Sequence, residues 1–417
     1  MVTFEALNAL YGDCLLLRYP GLDGKEQIWI IDGGPKSETV NGQPLAVWKD
    51  VLLPRLKEIN PTPTLPVSLG MVSHIDDDHI NGIQKLTSML RSAGPANPAP
   101  VKFDRFWFNS FDDLVGPKPA GLSPAAATAS MASLAEEALP GLDDDHATLV
   151  LQSVAQANAL ASDLRALQLN GNSTVNGMVV AKKGQKTFKV DSAEITVVGP
   201  MQERIDKLRA EWVKALQKPT KEARRAALQE LFLPDKSLDS AVPNLSSIVV
   251  LVEVGGRKLL LTGDANGKHI VSAWQDLGLG AGPVKLDLLK MPHHGSVRNS
   301  TEGFLEFFVA DHYVFSANGK FDNPDAPVVE ALVKIHGQQK TTLHFTNGEV
   351  TWALPYKLEK NGETVRNLME LLMALRTAYP GSWSANVENR TKNQSSYNCL
   401  EPKRHLARGR SQLDYEE

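Results

Sequence analysis

The segment from Ser73 to Ile83 reads SHIDDDHINGI, and it places two histidines and three aspartates in the six residues from His74 to His79, directly after the apolar run LGMV. Five ionisable groups this close repel and desolvate one another, so a fold that contains them must offset that penalty. Alternate residues at an extended strand end point the same way. His74 and Asp76 can therefore chelate one cation, while the turn into the next helix swings Asp78 and His79 toward a second. The competing reading is a helix cap, with Asp77 or Asp78 capping a helix that begins near Ile80 and a histidine packed beside it. A cap needs one oxygen and gains nothing from two flanking histidines, so the metal reading is preferred. Asp77 is left as a capping or solvent-facing residue, and Asn81-Gly82 as the start of a helix running to about Arg91.

Three further polar clusters end apolar runs, where open α/β architectures place their sites. They are Asp32-Gly33-Gly34, Gly263-Asp264 and His293-His294-Gly295-Ser296. Four of the ten histidines fall in two of the four clusters, which random placement would rarely produce. Gly-Asp alone is a common turn, but after LLLT a carboxylate at Asp264 is suited to bridge two cations. In KMPHHGS, Gly295 permits close approach and Ser296 offers a hydroxyl. Either half of that motif could instead belong to a helix capped at Ser296 or Ser300.

The rest of the chain alternates strand and helix. VTFEAL, DCLLLRYP and KEQIWIID read as three strands, the first two separated by a Gly12-Asp13 turn. LAVWKDVLLPRLKEI is helical by spacing, VSLGMVSH is a buried strand, and FDRFWFNSF is a strand ending near Asn109. A helical block with a turn at PGLDDDH interrupts the pattern from about 123 to 169. MVVAKKG, KTFKV and AEITVVGP resume it as strands, and a charged helical segment from MQERIDKLRAEW follows. The second half restarts with a hairpin, SSIVVLVEV and RKLLLTGDA, and continues through VKLDLLKMPHHGS and DHYVFSANG. TTLHFTN and GEVTWALP look like a closing hairpin, NLMELLMALRTAY is a last helix, and beyond about Trp383 a polar tail is expected to be mobile. Two halves that each start as a meander and continue into strand and helix suggest two sheets covered by helices.

At 417 residues, 42% hydrophobic and 22% charged, the chain can bury a large core. The net charge of -4 gives no global footprint for nucleic acid. Two cysteines far apart in sequence suggest no disulfide framework and make a reducing compartment the default. The N-terminus lacks a signal-peptide pattern and no run approaches a membrane span, so a soluble, cytoplasmic protein is expected.

In this order, the motifs resemble those of the metallo-β-lactamase fold hydrolases: an early D-G-G turn, an H-x-H-x-D-H-like motif, one bridging Asp and a later His. H-x-D-x-D-H, N-x-S-S-I-V-V-L-V-E, L-L-L-T-G-D and P-H-H-G-S are similar in particular to the metallo-β-lactamase domain of the ComEC/Rec2 competence proteins and their free-standing relatives. The resemblance implies an α/β fold, a four-layer αββα sandwich over residues 1–355, with helical insertions at about 118–170 and 201–236. A C-terminal helix and flexible polar tail would occupy 356–417. It implies two divalent ions, manganese or zinc, with His74 and Asp76 on one, Asp78 and His79 on the other, Asp264 bridging and His293 as the last ligand. Asp78 and His294 would be catalytic, His294 facing the substrate. Asp32 would lie beneath the metals, and Ser296, Asn318 and Asn323 would serve the surroundings or the substrate. Most dinuclear relatives carry a further histidine where this chain has Asn109, and a G-H-P where it has Asp322-Asn323-Pro324.

Such a site would activate water for attack on an electrophile. With Asp76 in place of an imidazole the donors are richer in oxygen, which shifts the preference toward manganese. The resemblance points to a phosphodiesterase acting on nucleic acid, a DNase, with Lys290, Arg298 and Lys320 as a phosphate-binding rim. A hydrolase of a small phosphoester, nucleotide or lactone is the alternative. A third is an effector in a multi-gene system that docks protein partners through the helical insertions.

Overall fold

The computed structural model describes residues 1–40, 43–61, 64–95, 97–110, 113–114, 145–169, 172–220, 223 and 246–388. Residues 140–144 of the PGLDDDH turn, much of both expected insertions and the tail from 389 lie outside them, while Asp145 and His146 open a helix. The protein is a mixed α/β structure with two principal sheets.

The first sheet has five strands whose spatial order follows the sequence: Thr3–Ala6, Leu15–Pro20, Glu26–Ile31, Leu69–Met71 and Phe106–Trp107. The first three pair antiparallel, and the last three run parallel. The second sheet has eight strands, again in sequence order: Phe188–Val190, Ala193–Gly199, Val249–Val254, Arg257–Leu261, Val284–Lys290, Phe308–Phe315, Thr342–Phe345 and Ser384–Val387. It too begins as an antiparallel meander and becomes parallel after Arg257–Leu261. Parallel neighbours need crossover connections, and the helices Gly267–Asp276, Glu302–Phe307, Ala326–His336 and Leu368–Ala378 lie in those links.

Period-two alternation decides how the first sheet is buried. Phe4, Leu15, Leu17, Trp29, Ile31, Leu69 and Met71 belong to one apolar cluster with Val250, Val252, Leu259, Leu261 and Leu288 of the second sheet. Their neighbours Leu16, Ile28 and Ile30 face the other way, into a cluster with Ile80, Ile83 and Leu86 of the helix Asp77–Arg91. The helix Asp145–Ala166 packs on that helix, with Asp163 accepting from Thr87 Oγ1 (3.0 Å) and pairing with Arg91 (2.6 Å).

Three expectations are corrected. The helix after the histidine motif begins at Asp77, not near Asn81. Thr342–Phe345 does not pair with the following strand; it is buried inside the parallel sheet, and the largely exposed Thr351–Lys357 pairs instead with Thr364–Asn367. The polar sequence after Trp383 contributes the edge strand Ser384–Val387 before the described residues end. No helix among the described residues is long and apolar enough to cross a membrane.

Candidate metal centre

The ends of four strands converge where the two sheets meet. The strand Leu69–Met71 delivers Ser73 and His74, and Ser73 O accepts from Ile248 N (2.8 Å), which ties this end to the second sheet. Asp32, after Glu26–Ile31, accepts from Ser73 N and Ser73 Oγ, both at 2.7 Å. The turn carrying it packs directly on the helix: a Cβ on Gly33 would fall 2.3 Å from Ile83 N, and one on Gly82 would fall 1.9 Å from Gly33 O. Only glycine at both positions permits that approach.

Asp264 follows Arg257–Leu261 and is 2% exposed. Its carboxylate stands 3.2 Å from His79 Nε2, 3.3 Å from His294 Nε2, 3.7 Å from His293 Nε2 and 3.8 Å from His74 Nε2. Asp78 Oδ2 lies 3.1 Å from His294 Nε2, and Asp76 Oδ2 lies 3.7 Å from His74 Nε2. Residues far apart in the chain thus meet around one carboxylate.

The imidazoles share one orientation logic. His79 Nδ1 donates to Asp32 Oδ2 (2.9 Å), His294 Nδ1 to Ser316 O (2.8 Å), His74 Nδ1 to Ser73 Oγ (3.0 Å) and His293 Nδ1 to Asn299 Oδ1 (3.2 Å). Fixing the proton on Nδ1 turns each Nε2 lone pair toward the carboxylates, the arrangement that metal-ligating histidines use. His74 Nε2, Asp76 Oδ1 and Asp264 Oδ1 are buried with no hydrogen-bond partner. Buried polar atoms left unpaired are costly, and a cation among them removes that penalty. Asp13, His79, Asp264 and His294, and also His74, Asp78 and His79, have ligand atoms close enough together to hold a metal ion.

The electrostatics agree with the geometry. Burial, reinforced by His79, pushes His74 down to about 3, so it is a neutral donor. Burial and then Asp78 and Asp264 push Asp76 well above the usual carboxylate range. For His79 and His294 burial works downward but is outweighed, chiefly by Asp264, so both are held well above an ordinary imidazole. Burial raises Asp264, yet His294, His79 and His293 together hold it well below the usual range. Without a divalent ion, protonated histidines balance the carboxylates.

Backbone strain collects here too. Asp32 (φ 57°), His293 (φ 46°) and His294 (φ 56°) all occupy the left-handed region without being glycine. Such conformations persist where surrounding structure enforces them, typically at functional sites.

Several residues stand differently from the sequence reading. His294, rather than His293, lies inside the four-residue cluster with Asp13, while His293 is partly exposed at its edge. Asp77 is buried, not solvent-facing: it accepts from Lys36 N (3.1 Å), Asn81 Nδ2 (3.1 Å) and Gln156 Nε2 (2.6 Å). The helix N-cap is Asp76, whose carboxylate makes no capping bond, so the cap explanation of the motif has no support. Asn109 uses both amide atoms on Val179, donating to its carbonyl (2.9 Å) and accepting its N–H (2.8 Å). Asn318 caps its own loop by accepting from Lys320 N (3.1 Å). Ser296 and Asn323 are buried beside the His293-His294 loop, where Ser296 N–H donates to His293 O (2.9 Å).

Asp13 was not anticipated as a site residue, and Lys290 plays a different part from the rim expected of it. Lys290 is fully buried, not a rim cation; its ammonium pairs with Asp13 and also donates to Gly263 O (3.3 Å). Burial works against its charge, but Asp13 and Asp264 raise its pKa above the ordinary value. The sequence signals were a lysine closing the apolar strand VKLDLLK and an aspartate opening CLLL.

No family model matches the chain. A stretch of 110 residues is 31% identical to ComE operon protein 3 of Bacillus subtilis (strain 168), covering 25% of this chain and 13% of that protein. The chain is similar to that protein over this segment, alongside a buried His/Asp cluster that can hold a metal ion.

Proposed function

We propose that this chain is a metal-dependent hydrolase with the four-layer metallo-β-lactamase architecture, and that it acts as a phosphodiesterase on nucleic acid. One observation carries the reading: six carboxylate and imidazole side chains from both halves of the chain converge, and three of their ligand atoms are buried without hydrogen-bond partners. The two sheets with parallel strands feeding a shared end, and the similarity to ComE operon protein 3, support it.

His79, Asp78, His294 and Asp264 would hold one divalent ion, and His74 and Asp76 would share Asp264 toward a second. The second set is poorer in donors because Asn109 is engaged with Val179. The oxygen-rich set favours manganese over zinc. Bound ions would bring the pKa of a water into the neutral range and offset charge developing on the phosphoryl oxygens. Asp32 keeps His79 in the donor tautomer, and Ser316 O does the same for His294. His293, partly exposed at the edge of the cluster, would take the proton released by the attacking water on Nε2 and pass it to the leaving oxygen. Arg298, exposed four residues on from His294, offers a cation to the substrate phosphate.

The test is hydrolysis of single- and double-stranded DNA and RNA by the chelator-stripped protein, with and without added manganese. Metal-dependent cleavage that disappears in Asp264→Ala and His79→Ala is the expected result. Intact polymers, combined with rapid turnover of a small chromogenic phosphodiester, would move the substrate class to small molecules.

A further inference from the structure

Among the described residues, six large hydrophobic side chains are exposed, and two of them, Val297 (47%) and Phe321 (49%), stand on the loops that follow the strands Val284–Lys290 and Phe308–Phe315. These loops frame the metal centre. They are joined to each other, since Val297 N donates to Asp325 Oδ2 (2.7 Å) and Asp325 N to Gly295 O (3.2 Å).

Phe321 is held in place. It has φ 58° and ψ 26°, and Asp322 beside it has φ 62°, two consecutive non-glycine residues in the left-handed region. Fasteners on both sides enforce the conformation: Gly319 N donates to Asn323 O (3.0 Å) and Ala353 N to Asp322 Oδ1 (2.8 Å). The Phe321 ring meets the Tyr11 ring edge-on at 6.0 Å, and Lys320 Nζ lies 3.7 Å above Tyr11 while pairing with Glu38 Oε1 (2.5 Å). Tyr11 precedes Gly12 and Asp13, and Asp13 N donates to the backbone oxygen of the proposed ligand Asp78 (3.1 Å). A rigid aromatic face and a fixed ammonium therefore sit one residue layer from the metal centre.

The Phe321 ring is about half exposed while it contacts Tyr11 and Lys320, and the left-handed backbone beneath it is the kind of strain that collects at functional sites. Resting on the phosphodiesterase reading, we propose that Phe321 is a stacking platform for an unpaired nucleobase, with Lys320 beside it for the backbone phosphate, so that the substrate is single-stranded nucleic acid. An aromatic face accepts any base, whereas bases in a duplex are already stacked.

The test measures binding of full-length protein to fluorescent single strands of about 12 nucleotides, DNA and RNA, by anisotropy in chelator. An abasic strand of the same length and charge serves as the second probe. Phe321→Ala is expected to weaken binding to the base-containing strand roughly tenfold, Phe321→Trp to restore it, and the abasic strand to bind wild type and Phe321→Ala alike. Equal binding of the base-containing strand by wild type and Phe321→Ala, or equal losses on both strands, would overturn the proposal. So would a change in oligomeric state with affinity intact. Because binding is read without metal, a platform that binds while the metal-loaded protein cleaves nothing defeats the nuclease reading alone. Cleavage without any dependence of binding on Phe321 defeats the platform alone.

Discussion

Among the described residues, two groups of neighbouring histidines lie wholly or partly buried, and they differ in their surroundings. His74, His79 and His294 lie at strand ends among Asp76, Asp78 and Asp264, whereas His312 and His344 lie within adjacent parallel strands, 3.0 Å apart from Nδ1 to Nε2. Burial pushes both members of the second group down, His344 to about 3 with His312 contributing. In the first group His79 and His294 are driven up by carboxylates, and only His74 falls. Burial alone makes a neutral structural imidazole, while burial among acids makes a charged cluster that a metal ion can resolve.

The largest expected effect falls on the acid-rich group. Asp264→Ala removes the carboxylate that faces four imidazoles, and metal-dependent hydrolysis should fall by more than about a thousand-fold, read as kcat/KM alongside metal content. Lys290→Met removes the ammonium that pairs with Asp13, leaving it only the more distant His294 (3.5 Å) and His79 (3.8 Å), and should destabilise the fold by about 3 kcal/mol, measured by urea unfolding. Comparison of His294→Ala with His293→Ala separates the paired histidines: metal affinity should fall roughly 10- to 100-fold further in the first, by calorimetric titration.

The second group responds to acid. His344 is neutral in the folded protein with a pKa near 3 and titrates near 6.5 when unfolded, so its contribution is present above about 6.5 and is lost as pH falls toward 3. Between pH 6.5 and 5 wild type should lose roughly 1 kcal/mol per pH unit more than His344→Gln, by urea midpoints. The smallest effect concerns Asn109→Ala, which removes two bonds to Val179 and should lower stability by about 1–2 kcal/mol while metal content stays at the wild-type level. A drop in metal content there would return Asn109 to the site.

The sequence made the strand-end clusters legible because each motif was polar at the close of an apolar run. His74, Asp76, Asp78, His79, Asp264 and His294 do meet in space. Asp13 and Lys290 were not legible as a pair, since 277 residues separate them and each alone reads as a turn or a surface charge. Asp77 was misjudged because its partner Gln156 comes from a helix that packs from far along the chain. Thr342–Phe345 likewise looked like half of a hairpin because local turn chemistry carries no information about the parallel neighbours at Phe308–Phe315 and Ser384–Val387. Which of two adjacent histidines turns inward depended on left-handed backbone at both, which residue identity does not specify.

The most direct test of the central claim is the metal content of the purified protein after reconstitution with manganese or zinc, measured by mass spectrometry against protein concentration. At least one tightly held ion per chain, lost in Asp264→Ala while the variant still unfolds cooperatively, is the expected result. Less than one ion per chain at saturating metal, with wild type and Asp264→Ala indistinguishable, would contradict it.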